Sequence, residues 1–181
     1  MKKKTARILL LTEIVAILTL LFVFRGHLLA LLFPGNAVME QHAAPELMPG
    51  TWINSEPLTI GGLRGNVVLL DFWTFKCGPC LAVVPTLEQW HKKYPALALI
   101  GVHSPETKEE ASVDNLRRRV GLLNISYPIV TDNGMSSWTR YKAEVWPTLY
   151  LIDKKGVIRD IHRGRVGLDG VEKKIEELLA E

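Results

Sequence analysis

The apolar positions of this chain are concentrated first in one N-terminal stretch, residues 8–24 (ILLLTEIVAILTLLFVF), in which Glu13 is the single charge. As a helix this stretch is roughly 25 Å long, which is short but adequate to span a bilayer, especially if residues 28–33 extend it. Four basic residues precede it and predict a cytoplasmic N-terminus. We therefore expect residues 1–33 to be a cytoplasmic tail and a transmembrane anchor.

A cleaved signal peptide is the competing interpretation, because a basic start followed by an apolar stretch is typical of both. We favour the retained anchor, since the stretch is longer than a usual signal-peptide core and no small-x-small cleavage site follows closely. Both interpretations place the rest of the chain outside the cytoplasmic membrane, in a bacterial periplasm or on the outer face. Residues 34–50 contain three prolines and no apolar run, which predicts a flexible tether.

From residue 51 to residue 181, short apolar runs alternate with helical patterns. Two runs, VVLLDFW and LALIGVH, are nearly continuous and typical of strands buried on both faces. Lys154-Lys155-Gly156 separates two later runs and predicts a hairpin. The predicted strands are residues 51–60 (a short strand or hairpin), 67–73, 97–103, 127–130, 148–153 and 157–162.

The segments between and after these strands have apolar residues at helical spacing. Pro85 lies inside the first helix and should kink it, and Ser104 is the expected N-terminal cap of the second. The predicted helices are residues 80–94, 104–120, 136–141 and 168–180. Parallel βαβ units followed by an antiparallel hairpin predict one α/β domain, a mixed central sheet with helices on both faces.

Charge and composition exclude two classes of protein. Residues 1–33 contain five basic residues and one acidic residue, whereas residues 34–181 contain 17 basic and 18 acidic residues. The basic character therefore belongs to the N-terminal segment, and we expect no nucleic-acid partner. Two cysteines in 181 residues exclude a disulfide-stapled scaffold.

Both cysteines lie in one motif, Cys77-Gly78-Pro79-Cys80, between a predicted buried strand and a helix. A thiolate attacks a disulfide, and a helix N-terminus stabilises the negative charge of a thiolate. We expect Cys77 to attack and form a mixed disulfide. Cys80, one turn further on, would resolve it and leave a Cys77–Cys80 disulfide.

Other uses of a cysteine pair stay open on the residues alone. A structural zinc site needs about four ligands, and the chain has no second cysteine pair. A copper site that adds the distant His162 is conceivable, as are two unrelated buried thiols. We expect no metal site, and no cofactor besides the redox-active disulfide.

VVLLDFWTFKCGPC, followed by Pro85, resembles the active-site segment of the thioredoxin superfamily, and EVWPTLYLID resembles the cis-proline loop of that superfamily and its following strand. The anchor, the insertion GVHSPETKEE and the DFWTF before the cysteines are most similar to the membrane-anchored TlpA/ResA type, and especially to the extracytoplasmic domain of DipZ-type proteins. The resemblance covers about residues 52–179 and implies a thioredoxin fold.

The resemblance implies roles for several residues. Cys77 is the nucleophile and Cys80 the resolving thiol. Pro147 is a cis-proline beside them, which lets the backbone of Trp146 pair with an extended substrate peptide. Asp71 matches the buried acid beneath the active site, where burial should raise its pKa and let it exchange a proton with Cys80; an edge position in solvent is the alternative.

Neighbouring residues complete the expected substrate surface. We expect Gly78 and Pro79, within the motif, and Lys76, just before it, to contact the substrate. Lys76 departs from the aromatic residue usual in thioredoxin; it would favour the Cys77 thiolate and attract acidic partners, or else be a solvated side chain. Trp73 should pack near the motif or in the core. Pro85 matches the helix-kinking proline of the superfamily.

His103 and Glu106 follow a strand end, where sites of α/β proteins gather. TlpA/ResA-type proteins often carry a functional glutamate in this region, so Glu106 is a candidate for that role.

The function expected from these residues is that of a thiol–disulfide oxidoreductase. The Gly-Pro spacer resembles the reducing poise of thioredoxin, near about −270 mV, and favours a reductase of exported protein disulfides that receives electrons from a transmembrane thiol carrier. The TlpA/ResA resemblance adds cytochrome c maturation as a role, and we expect a monomer. A peroxiredoxin-like thiol peroxidase and a copper-binding chaperone are the alternative functions. The peroxidase motif Pro-x-x-x-Thr-x-x-Cys would need proline where Leu70 stands.

Overall fold

Six strands form one mixed sheet in the computed structural model, which describes residues 42–181. The strand order is β1-β4-β3-β2-β5-β6. The central strands β2, β3 and β4 are parallel, while β5, β6 and β1 each run antiparallel to their neighbours. The strands are β1 (Trp52–Ile53), β2 (Val67–Trp73), β3 (Leu97–His103), β4 (Ile129–Thr131), β5 (Thr148–Ile152) and β6 (Ile158–Arg163).

Among residues 42–181, three helices and one 3-10 turn connect strands, and a fourth helix follows the last strand. The turn is Gly61–Leu63, and the helices are α1 (Gly78–Lys93), α2 (Val113–Leu122), α3 (Ser136–Tyr141) and α4 (Leu168–Ala180). Within residues 42–181, no helix combines the length and the apolar character needed to cross a membrane. The predicted anchor, residues 1–33, lies outside the described residues.

The alternation of side chains along β2 divides the core into two layers, because successive strand residues point to opposite faces. Leu69 and Trp73 face the layer formed with α1, α2 and α4. Leu70 and Phe72 face the layer that contains residues from α3. All seven residues of β2 are buried, which confirms the predicted central strand.

The second layer is completed by residues 42–51, which we call the N-terminal strap. Ala44 packs against this layer and its backbone N–H donates to Gly156 O at 2.9 Å. The Tyr141 hydroxyl donates to Pro45 O, and the Glu46 carboxylate accepts from the N–H of Ile60 at 2.8 Å. The described part of the predicted tether, residues 42–50, is thus bound to the sheet, and the remainder lies outside the described residues.

The helix predicted from Ser104 to residue 120 is wrong at its start. Ser104 is fully buried: its N–H donates to Trp73 O at 2.9 Å and its hydroxyl donates to Asp132 at 3.3 Å. With these groups engaged elsewhere, Ser104 does not cap a helix. Helix α2 starts at Val113 instead, with Ser112 as its cap.

The other predicted elements form with small differences in their ends. Residues 51–60 contain only the two-residue strand β1, which pairs with β4 and not in a local hairpin. Helix α1 begins at Gly78, two residues before the predicted start, and contains Pro85. The β5–β6 hairpin, α3 and α4 form where the pattern predicts them.

Candidate active site

The two cysteines are joined by a disulfide at the start of α1, with their Cα atoms 5.2 Å apart. Cys77 is the N-terminal cap of the helix, and its Sγ accepts a hydrogen bond from Cys80 N at 3.2 Å. Free N–H groups and the helix dipole favour negative charge at this position. The Cys77 sulfur is therefore the one that a helix terminus stabilises as a thiolate.

The two sulfurs differ in access. Cys77 is half-buried, whereas Cys80 is 1% exposed and packs among apolar side chains of the α1 layer. A protein disulfide can reach Cys77, while Cys80 can be reached only from within the molecule. This difference agrees with attack by Cys77 and resolution by Cys80.

Asp71 lies in the middle of β2 and is 1% exposed. By strand alternation it shares the face of Leu69 and Trp73, which is the layer that contains Cys80. Burial raises the pKa of Asp71 to about 8 from its ordinary value of 3.8. Its Oδ1 has no hydrogen-bond partner among residues 42–181. The edge position in solvent is excluded, and the carboxyl group is suited to hold a proton near neutral pH.

The peptide bond between Trp146 and Pro147 is cis, as the resemblance implied. Pro147 O accepts a hydrogen bond from Gly164 N at 2.9 Å, which ties this loop to the end of β6. Trp146 stacks on Trp138 of α3, with ring centroids 4.2 Å apart. The local sequence pattern does not indicate this contact, because the two tryptophans belong to different elements of the fold.

Lys76, just before the motif, and the two residues between the cysteines are exposed. Gly78 and Pro79 lie on the surface in the first turn of α1. Lys76 is also exposed, and its Nζ pairs with Glu109 at 2.6 Å. Because this ion pair lies at the surface, we assign it little weight in stability.

His103 and Glu106 have different environments. His103 is fully buried, and burial lowers its pKa to about 4, an effect that the charge of Glu110 partly opposes. Its ring stacks on Phe75, with centroids 5.4 Å apart. The side chain of Glu106 is exposed, so the acid that the insertion brings into the interior is a different one.

That acid is Glu110, which sequence reasoning missed. Glu110 is 1% exposed, and its carboxylate accepts hydrogen bonds from Thr74 and from Lys76 N. A signal for it was present, because Thr107-Lys108-Glu109-Glu110 fits the Ser/Thr-x-x-Glu capping box.

Metal-binding groups do not converge in the described part of the chain. No set of three or more His, Cys, Asp or Glu side chains among residues 42–181 is placed to hold a metal ion.

Comparison with known proteins identifies a family model and several relatives to which the sequence is similar. The model of the family described as Thioredoxin-like matches residues 65–158. The chain is 39% identical over 152 residues to Protein DipZ of Mycobacterium tuberculosis, which covers 80% of the chain but 22% of that relative. The same values hold for Protein DipZ of Mycobacterium bovis. The chain thus spans less than a quarter of the length of these relatives.

Shorter relatives match over most of their length. The chain is 31% identical over 141 residues to Thioredoxin-like protein YneN of Bacillus subtilis, covering 77% of the chain and 80% of the relative. The crystal structure of a thiol-disulfide isomerase from Corynebacterium glutamicum superposes with a TM-score of 0.68 at 28% identity, covering 76% of this chain and 97% of that one.

Proposed function

This chain belongs to the thioredoxin-like family, and we propose that it is a membrane-anchored, extracytoplasmic reductase of the TlpA/ResA type that acts on disulfides of exported proteins. Its Cys77–Cys80 pair makes it a thiol–disulfide oxidoreductase. The observation that carries the proposal is the difference between the two sulfurs: one half-buried at a helix N-terminus, the other buried in the layer of a protonatable acid.

In the proposed cycle, the reduced protein carries a Cys77 thiolate and a Cys80 thiol. The thiolate attacks one sulfur of the substrate disulfide, forms a mixed disulfide and releases the other substrate sulfur as a thiolate. The ionised form of Asp71, which is the minor form at pH 7 because its pKa lies near 8, accepts the proton of Cys80, and the Cys80 sulfur attacks Cys77. Asp71 then returns the proton to solvent or to the leaving substrate sulfur. The second substrate sulfur leaves reduced, so two electrons pass to the substrate and the Cys77–Cys80 disulfide forms.

The loop at Pro147 supports binding of an extended substrate segment. Among residues 42–181, no hydrogen bond engages the backbone N–H or C=O of Trp146. These groups are available to pair with the backbone of a peptide that lies beside Cys77. The exposed Gly78, Pro79 and Lys76 would contact the same peptide.

The N-terminal pattern supports the proposed location, and the location in turn suggests the electron source. The basic start and the apolar residues 8–24 support an anchored domain outside the cytoplasmic membrane. A reductase there must be reduced again across the membrane, and we propose a transmembrane thiol carrier as the donor. Cytochrome c precursors with oxidised cysteines are the proposed substrate class. We further propose that the protein acts as a monomer and needs no cofactor besides the disulfide.

Insulin-disulfide reduction by the full chain tests the reaction. Cys77→Ser should abolish turnover, because the attacking sulfur is gone. Cys80→Ser should accumulate mixed disulfides, because nothing resolves them. Wild-type turnover in both variants would disprove the mechanism, and fast peroxide turnover without a dithiol partner would point to a thiol peroxidase instead.

The direction of electron flow is tested by the reduction potential of the Cys77–Cys80 pair. A value below about −230 mV supports a reductase, and a value near about −120 mV would identify an oxidase. Protease treatment of intact cells and of spheroplasts tests the location. Digestion of the domain only after the cytoplasmic membrane is broken would contradict an extracytoplasmic site.

A further inference from the structure

The Glu110 carboxylate accepts four hydrogen bonds and is 1% exposed. Its Oε1 accepts from the Thr74 hydroxyl and from Lys76 N, the latter at 3.3 Å. Its Oε2 accepts from the N–H and the hydroxyl of Thr107, each at 3.0 Å. A carboxylate has about four lone-pair sites, so these donors fill its accepting capacity.

This set of donors favours the ionised form of Glu110, since each carboxylate oxygen faces one backbone N–H and one hydroxyl. Burial by itself would raise the pKa of Glu110, but the hydrogen bonds from Thr74, Thr107 and the nearby backbone hold it below its ordinary value. An amide would turn its NH2 group toward one of the two backbone N–H donors, those of Lys76 and Thr107, which contact different oxygens. Glu110 is therefore a fixed negative charge at neutral pH.

Two of the four hydrogen bonds are local. Thr107 Oγ1 also accepts from Glu110 N at 3.3 Å, so Thr107 and Glu110 form a capping box that shapes one turn of the insertion. A cap of this kind explains the contacts to Oε2. It does not explain the contacts to Oε1, which come from residues 34 and 36 positions away in the sequence.

Those distant donors belong to the short segment between β2 and Cys77. Residues 74–76 lie in neither a helix nor a strand. The Thr74 hydroxyl gives its hydrogen to Glu110, and its oxygen lies 3.5 Å from His103 Nε2, from which it can accept. Thr74 O accepts from Cys77 N at 3.2 Å. Glu110 thus binds both the first and the last residue of the segment that connects β2 to Cys77.

We propose that Glu110 is a positioning residue that fixes the segment before Cys77 and that its charge disfavours the Cys77 thiolate, which makes the cysteine pair more reducing. The inference deepens the proposed reductase function and rests on it. A negative charge near a thiol disfavours its ionised form. A disulfide whose reduced state is less stabilised is harder to reduce, and the reduced protein is the stronger electron donor.

The other basic groups near this segment either contact partners of their own or are neutral. The Lys76 Nζ is drawn to Glu109, at the surface. The Arg119 guanidinium lies over the Phe75 ring, 5.8 Å from its centroid, where it contacts the aromatic face. The low pKa of His103 leaves its imidazole neutral near pH 7.

Glu110→Gln on the full chain tests the inference, with Asp114→Asn as the matched control, since Asp114 is an exposed acid shortly after the same insertion. The measurement is the equilibrium with glutathione, in which the disulfide and two glutathione thiols give the dithiol and one glutathione disulfide. Glu110→Gln should shift this equilibrium toward the dithiol by about threefold or more, or about 14 mV. The Cys77 thiolate pKa, followed by thiolate absorbance, should fall as well. Asp114→Asn should change neither quantity.

A purely structural role predicts a different outcome. If Glu110→Gln lowers the melting temperature but leaves both the potential and the thiolate pKa at wild-type values, the proposed effect of the charge is refuted. Thr74→Val covers the case in which Glu110→Gln does not fold, because it removes one donor and keeps the charge. It should slow insulin reduction with a smaller change in potential, and unchanged turnover would refute the positioning role. A wild-type potential in the oxidase range would disprove the proposed function without affecting these comparisons between variants.

Discussion

Asp71→Asn should stabilise the oxidised protein, and the gain should depend on pH. Burial raises the pKa of Asp71 to about 8 in the folded state, from 3.8. Between these values the folded state retains a proton that the unfolded chain loses. This contribution to stability is complete below about pH 4 and is lost as pH rises through 8.

The magnitude follows from that difference. Each pH unit between the two pKa values costs the wild type about 1.4 kcal/mol, which amounts to about 4 kcal/mol at pH 7. Asparagine has nearly the same shape and does not ionise. The free energy of unfolding of Asp71→Asn should therefore exceed that of the wild type by about 4 kcal/mol at pH 7, with little difference at pH 4 and no further gain above pH 8.

Urea denaturation of both oxidised proteins from pH 4 to pH 9 provides the measurement. Asp153→Asn is the matched control, since Asp153 is also buried but accepts from Lys155 N and Val157 N and pairs with Arg159 at 3.0 Å. These hydrogen bonds and the ion pair hold the pKa of Asp153 below its ordinary value against the effect of burial. Asp153→Asn should lose stability by a constant amount above pH 5.

A difference between Asp71→Asn and wild type that stays constant across this range would refute the reasoning. The same variant should also resolve mixed disulfides more slowly, because an amide cannot accept the proton of Cys80. Single-turnover kinetics of disulfide release would show this delay, and an unchanged rate would remove Asp71 from the proposed proton transfer.

Three further predictions concern packing and support. Trp138→Ala should raise the KM for a peptide disulfide about two- to tenfold with little change in kcat, because Trp146 loses the ring it stacks on; a lowered kcat at constant KM would contradict this. Glu88→Ala should cost about 1–2 kcal/mol in urea denaturation, since Glu88 accepts from the N–H and hydroxyl of Ser126, and the loss should fade only as pH falls through the lowered pKa of Glu88. Gly101→Ala should destabilise the fold by about 1–3 kcal/mol, because an added Cβ would collide with side chains of two neighbouring strands; an unchanged melting temperature would show that they can yield.

Elements with strong periodicity were predictable from the sequence. The buried strand β2, the β5–β6 hairpin and helix α4 each follow from a local pattern that the packing does not override. The cysteine site was predictable for a related reason: the motif places both sulfurs in one helical turn, so its geometry depends on four residues only.

Contacts between distant segments were not predictable. Ser104-Pro105-Glu106 looks like a helix start, but burial of Ser104 against Asp132 takes its hydroxyl away from the backbone that it would cap. The capping box at Thr107 was visible, yet nothing local indicates that the same Glu110 carboxylate also binds Thr74. The prolines of residues 34–50 leave no periodic pattern, so the sequence predicts a tether there. The hydrogen bonds that hold the strap go to residues far along the chain, which no local pattern indicates.

The strap also determines where a mechanical load enters the domain. A pull on the chain ahead of His42 is resisted first by the bonds that join His42 to Ile158 and Ala44 to Gly156. Gly156 lies beyond the end of β5 at which Ile152 pairs with the start of β2. The cysteines follow the opposite end of β2. Tension on the N-terminal side therefore enters at one end of the sheet, whereas the redox centre lies at the other end.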